Sequence, residues 1–287
     1  MKSALAALLL MAAPLHAAGY PDAGRVLALG GSVTEIVYAL GEQDRLAGRD
    51  TTSVFPPEAR ALTDVGYIRQ LSPEGVLSVA PDLIIAEEGA GPPEAVSVLK
   101  AADIPYVAIA DGHDAAAVLA KVDAVAEALG VPDKGKVLHD RLATDLAEAE
   151  TRSQAVGKPR RVLFILSLQG GRVMAGGENT SADGIIRLAG AENALAGTEG
   201  FRPLTDEAVI AAAPDVILMM DRGDAGGKGG ISPEQARRDA LALPALAQTP
   251  AGRDGAIVIM DGLKLLGFGP RTGEAALELH DLVYGND

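Results

Sequence analysis

Leu71-Ser72-Pro73-Glu74-Gly75-Val76-Leu77-Ser78-Val79-Ala80-Pro81-Asp82-Leu83-Ile84-Ile85 returns, 133 residues later, as Leu204-Thr205-Asp206-Glu207-Ala208-Val209-Ile210-Ala211-Ala212-Ala213-Pro214-Asp215-Val216-Ile217-Leu218. Leucine, glutamate, Ala-Pro-Asp and the closing apolar run align without a gap. Each copy reads as a capped helix followed by a strand. Ser72 and Thr205 can accept hydrogen bonds from first-turn amides, and Glu74 and Glu207 suit the positive end of the helix. Pro81 and Pro214 stop the helix, so residues 83–85 and 216–218 read as buried strands.

Each copy is preceded by a matching opening. Arg25-Val26-Leu27-Ala28-Leu29 and Arg161-Val162-Leu163-Phe164-Ile165 are apolar runs of the kind buried in parallel sheets. Strand, helix and strand in alternation indicate α/β lobes. Between the halves lie residues 115–129 and 133–154, separated by Pro132 and rich in Ala, Leu, Glu, Lys and Asp. The second segment has helical apolar spacing at Val137, Leu138, Leu142, Leu146 and Ala149. It is long enough to connect the halves alone. The expected fold is α/β, with two Rossmann-like lobes joined by a single long helix and a ligand cleft between the lobes. The expected division is a signal peptide at 1–17, an N-terminal lobe at 18–131, a linker helix at 132–156 and a C-terminal lobe at 157–287.

The first residues carry one lysine, a short Leu/Ala/Met run ended by Pro14, and small residues at Ala17 and Ala18. This predicts a cleavable export signal, because the run is too short to anchor a chain in a bilayer. The chain has no cysteine, which excludes disulfides, thiol catalysis, zinc–thiolate and iron–sulfur sites, and a lipidated cysteine. Net charge is -14, so nucleic acid and anionic membrane surfaces are poor partners. A soluble periplasmic monomer that is not membrane-inserted fits these features.

The candidate site lies just ahead of the first repeat, in Asp64-Val65-Gly66-Tyr67-Ile68-Arg69-Gln70. A phenol is a good ligand for ferric iron when ionised, and a nearby guanidinium favours the phenolate by charge and hydrogen bonding. Tyrosine is an established axial ligand of haem iron. A zinc or manganese binder would need converging imidazoles. Here His113, His139 and His280 are scattered over the sequence, with His139 in the linker helix and His280 in the last helical segment. Enzyme readings are weak: Gly30-Gly31-Ser32 lacks the nucleotide-binding glycine spacing, and Asp111 and His113 have no serine elbow.

With these features the chain resembles the periplasmic haem-binding proteins of bacterial haem ABC importers, which are similar to the vitamin B12 and ferric-siderophore binders with a rigid helical hinge. The resemblance covers residues 25–284. Its most specific segments are Gly66-Tyr67-Ile68-Arg69 with the Leu71-Ser72-Pro73-Glu74-Gly75 that follows, and Leu265-Leu266-Gly267-Phe268-Gly269-Pro270-Arg271. Leu29-Gly30-Gly31-Ser32-Val33-Thr34-Glu35 also fits. The resemblance implies that the transported ligand is haem b, that Tyr67 is the axial iron ligand and that Arg69 stabilises its phenolate. It implies that Glu74 and Glu207 dock on arginines of an inner-membrane ABC permease dimer. Haem propionates call for cations, for which Arg222 after the second-lobe strand is the first candidate and Lys228 a weaker one. The loop Ser167-Leu168-Gln169-Gly170-Gly171-Arg172-Val173-Met174 is expected to stand where Gly30-Gly31-Ser32 stands in the first lobe, with no histidine or tyrosine to hold a second haem. Met174 reads as a core residue or a porphyrin contact. Cobalamin or a ferric siderophore is the alternative cargo.

Overall fold

The structure is a computed structural model that describes residues 19–221 and 232–285. The first lobe comprises β1 (Val26–Leu29), α1 (Gly31–Ala39), β2 (Leu46–Arg49), α2 (Pro73–Leu77), β3 (Leu83–Glu87), α3 (Pro93–Ala101) and β4 (Tyr106–Ile109). Its strands form a wholly parallel sheet in the order β2-β1-β3-β4. Apolar residues alternate between the sheet faces: Val26, Ala28, Leu83 and Ile85 join one core, and Leu27, Leu29, Ile84 and Ala86 the other.

Two helices follow, α4 (Ala115–Ala128) and α5 (Pro132–Ala155). Pro132 opens α5, where its missing amide hydrogen costs no helical bond. At 24 residues α5 spans about 36 Å. Leu138 and Leu142 enter the first-lobe core, whereas Leu146 and Ala149 enter the second. One rigid rod is therefore embedded in both lobes. Val137 departs from the expected stripe. It is 73% exposed, because the buried row runs through Gly135, Leu138, Leu142, Leu146 and Ala149 and leaves position 137 outside it.

The second lobe comprises β5 (Arg161–Gln169), β6 (Arg172–Gly176), α6 (Ser181–Leu188), β7 (Glu192–Asn193), β8 (Phe201–Leu204), α7 (Asp206–Ala212), β9 (Val216–Asp221), α8 (Pro233–Leu241), α9 (Pro244–Ala247), α10 (Pro250–Asp254), β10 (Ile257–Asp261), α11 (Gly262–Leu266) and α12 (Thr272–Tyr284). Its main sheet runs β10-β9-β5-β6-β8, with β7 pairing β5. The segment expected to mirror Gly30-Gly31-Ser32 is instead the tip of an antiparallel hairpin between β5 and β6. Gly170 and Gly171 have φ of 60° and 75°, the geometry of a two-residue turn, so the chain reverses and the next helix is delayed to Ser181. Met174 is half-buried on β6, opposite Pro203.

The repeat itself is kept in detail. Ser72 and Thr205 accept from the amides of Gly75 and Ala208. Val76 and Val209 are both fully buried. Ala80 and Ala213 both take a left-handed conformation, with φ of 45° and 41°, to turn the chain into Pro81 and Pro214. Asp82 and Asp215 then accept from the amides of Arg25 and Arg161 at 2.9 and 2.8 Å. The guanidinium of Arg25 donates back to the Ala80 carbonyl, and that of Arg161 to the Ala212 carbonyl.

Candidate functional site

In parallel α/β sheets, ligands bind beyond the carboxyl ends of the strands. Those ends of the two sheets face one another here. Gly31, after β1, lies so close to α11 that a Cβ on it would fall 2.5 Å from Leu263 Cδ1. Only a glycine permits this approach.

Tyr67 stands beside this junction on a loop secured from both sides. The Gly66 carbonyl accepts from Thr51 N at 3.0 Å, the Ile68 carbonyl accepts from Gly91 N at 2.9 Å, and Leu71 N donates to the Gly91 carbonyl at 2.7 Å. Arg49 pairs with Asp64 at 3.2 Å, and Asp64 Oδ1 receives the Gly66 amide at 2.8 Å. Ile68 is buried and anchors the following 3₁₀ turn, Ile68–Gln70. Tyr67 itself is 42% exposed, and it makes no hydrogen bond through its hydroxyl with any described residue. A phenol oxygen on a fixed backbone, with neither a donor nor an acceptor engaged, is free for an incoming ligand.

Arg69 is also exposed, but its guanidinium lies against Gly89, with Nη1 3.0 Å from the position of a Cβ there. The expected Tyr67–Arg69 hydrogen bond is not formed. The buried Ile68 separates them, and at about 120° per residue in a 3₁₀ turn, residues two apart leave on different sides. Arg69 makes no ion pair with a described residue, so its charge remains available. Arg222 and Lys228 lie outside the described residues. On the second lobe, Arg172 at the hairpin tip is exposed at the carboxyl end of β5 and likewise has no ion-pair partner among the described residues.

Under the junction is a charged floor that the sequence reading missed. The Lys121 side chain is fully buried, with Nζ bonded to Glu87 Oε1 and lying 3.3 Å from Ser32 Oγ and 3.4 Å from Asp111 Oδ1. Ser32 Oγ donates to Glu87 Oε1 at 2.7 Å. Asp50, fully buried, accepts from Gly30 N at 3.0 Å and from Ser53 Oγ at 2.7 Å. A lone lysine in α4 gives no local signal, because its partners arrive from three other segments. Asp111 Oδ2 is 3.6 Å from His113 Nε2, and the His113 ring meets Phe268 of the second lobe edge-on at 5.2 Å. His139 pairs with Asp123 at 3.0 Å and His280 bonds the Ala189 carbonyl at 3.0 Å. Among the described residues no three acidic or imidazole groups converge to hold a bare metal ion.

Burial opposes ionisation of Asp111, but the His113 ring, Lys121 and the Gly112 amide outweigh it and bring its carboxyl from 3.8 to about 2. A carboxyl depressed in the folded state contributes stability above its unfolded value and loses it as pH falls through the folded one. The window is therefore pH 4 to 2. Asp111→Asn should lower the unfolding free energy by about 1–2 kcal/mol at pH 5, after discounting for partial exposure, and the difference from the parent should vanish near pH 2. Urea titrations at several acid pH values check this.

A model of the family described as periplasmic binding protein matches residues 26–262. The chain belongs to the periplasmic binding protein family. Among solved structures, this binding protein is similar to the periplasmic heme-binding protein BhuT in complex with two hemes. Identity is 42%, the TM-score is 0.82, and the match covers 90% of this chain and 97% of that one. It is similar too to the periplasmic heme-binding protein RhuT from Roseiflexus sp. RS-1 in apo form, at 38% identity and TM-score 0.84, covering 92% and 99%. The vitamin B12-binding protein of Yersinia pestis (strain Pestoides F) is 27% identical over 69% of each chain. An uncharacterized ABC transporter substrate-binding lipoprotein, YvrC of Bacillus subtilis (strain 168), is 28% identical over 69% of this chain but only 63% of its own length. The family and these solved neighbours are substrate-binding proteins rather than enzymes. No helix among the described residues is long and apolar enough to cross a membrane.

Proposed function

We propose that this protein is a periplasmic haem carrier that hands ferric haem b to an inner-membrane ABC permease. The observation that carries the reading is the free, exposed Tyr67 hydroxyl on a backbone tied down at Thr51 and Gly91. Such an oxygen can bind a hard ferric centre with little reordering of the chain. Arg69 supplies a cation on the same turn to favour the phenolate, by a side-chain rotation rather than by a preset bond. Arg172 rises from the opposite lobe beside the end of β5 and suits a propionate; Arg222, the residue that follows β9 in sequence, is proposed for the other. Partly exposed apolar side chains at the junction, Leu263 among them, take a macrocycle face, where most of the binding energy arises. The N-terminal signal directs export and is removed as the chain crosses the inner membrane, and the carrier works as a monomer.

Glu74 and Glu207 are exposed at equivalent places on the two lobes. They suit the two equal halves of a permease dimer. Glu207 also caps its own helix: its backbone amide and the Thr205 hydroxyl hold its carboxyl below the usual range.

Titration with hemin tests the reading. A saturable visible spectrum of tyrosinate-ligated ferric haem is expected, with one or two haems per chain counted by native mass measurement. Saturable binding of cyanocobalamin or a ferric siderophore with no hemin response would replace haem as the cargo.

A further inference from the structure

The two docking glutamates do not stand alone. Three residues after each, on the same helix face, the repeat places a large apolar side chain in solvent: Leu77 is 37% exposed and Ile210 is 41% exposed. Single exposed apolar residues are ordinary on a soluble protein. Among the exposed large apolar residues of the described chain, however, these two are the pair related by the 133-residue repeat. The core positions on either side are matched as well, Val76 with Val209 at 0% and Val79 with Ala212 at 6%. Both helices are therefore seated in the same rotation, and the same apolar corner is left outside on each.

We propose that Leu77 and Ile210 form, with Glu74 and Glu207, a duplicated docking patch for a twofold-symmetric membrane permease. Each permease half presents one cation and one apolar recess. This rests on the docking role given to the glutamates above and extends it. Two equal patches on one chain suit a partner whose two identical subunits present the same surface twice. The charge complementarity selects a basic partner, and the acids and apolar residues divide the work. Rim charges govern encounter rate and salt dependence, whereas a desolvated apolar contact governs how long the complex lasts.

The test uses the full chain loaded with hemin, binding to the source bacterium's haem permease–ATPase held in lipid nanodiscs. Leu77→Gln and Ile210→Gln should each speed dissociation about fivefold and together about 25-fold, because sites on separate lobes act independently. Association rate, its salt dependence and the hemin titration should be unchanged. Val98→Gln and Leu282→Gln, at exposed apolar sites without a repeat partner, should leave dissociation unaltered. A double variant dissociating within twofold of the parent, while Glu74→Ala with Glu207→Ala weakens binding, would overturn the apolar half and leave a purely electrostatic dock. If the glutamate pair has no effect either, the docking role itself falls, and this proposal with it.

Discussion

Replacing Tyr67 by alanine should erase the tyrosinate absorption of the hemin complex and weaken hemin binding by at least about a hundredfold. Losing a residue that only orients a metal ligand costs roughly 10–100-fold, so losing the ligand itself should exceed that range. No imidazole is placed to take over. His113 is held between Asp111 and Phe268, His139 on α5 pairs with Asp123 on α4, and His280 is bound to the Ala189 carbonyl. Tyr67→Phe separates ligation from stacking: it keeps the ring and removes only the oxygen, so it should lose the band as completely as alanine does. Arg69→Gln should act differently. Without the cation the bound phenolate is less favoured, so the band should survive while hemin binds about tenfold more weakly. A tyrosinate spectrum retained in Tyr67→Phe would place the iron ligand elsewhere in the cleft.

The repeat made both lobes legible because each copy carries its own complete local instructions: a capping hydroxyl, a helix stop, and an aspartate that fastens the following strand to the lobe's first one. The linker helix was legible for a similar reason, since Leu138, Leu142, Leu146 and Ala149 form one stripe. Val137 misled because apolar character alone does not say which side of a stripe a residue takes. The hairpin at Gly170-Gly171 was hidden by the assumption that both halves follow one plan. Two adjacent glycines serve a ligand-cradling loop and a tight reversal equally well, and only their positive φ angles decide between them. Tyr67 was legible as a candidate because the Tyr67-Ile68-Arg69 triplet that suggests it is local in sequence. Lys121 was not, because Ser32, Glu87 and Asp111 reach it from three separate segments, and a buried lysine reads locally as an ordinary surface one.

The same distance in sequence concealed an ion pair that ties the lobes together. The opening segment that ends at Glu35 and the late segment that ends at Arg271 were each recognisable, and they prove to be partners. Arg271 Nε and Nη2 donate to the two Glu35 oxygens at 2.9 and 3.0 Å, across 236 residues. The guanidinium also lies 3.6 Å from the centre of the Phe55 ring, and Nη1 is 3.8 Å from Asp261. Desolvation raises the Glu35 carboxyl above its usual range even though Arg271 works to lower it. A charge that burial already disfavours depends heavily on its partner. Arg271→Met should therefore lower the unfolding free energy by about 3–5 kcal/mol at pH 7, as expected when one member of a buried pair is left without the other. The pH dependence gives an independent check. A carboxyl raised in the folded state contributes stability that is full below its unfolded value of 4.5 and is lost as pH rises through the folded one. The deficit of Arg271→Met should thus shrink as pH falls towards 4.5, and adding Glu35→Gln should recover most of it at pH 7 by removing the stranded charge. A deficit independent of pH, or no recovery in the double variant, would mean that Arg271 holds the lobes through Phe55 and packing rather than through charge.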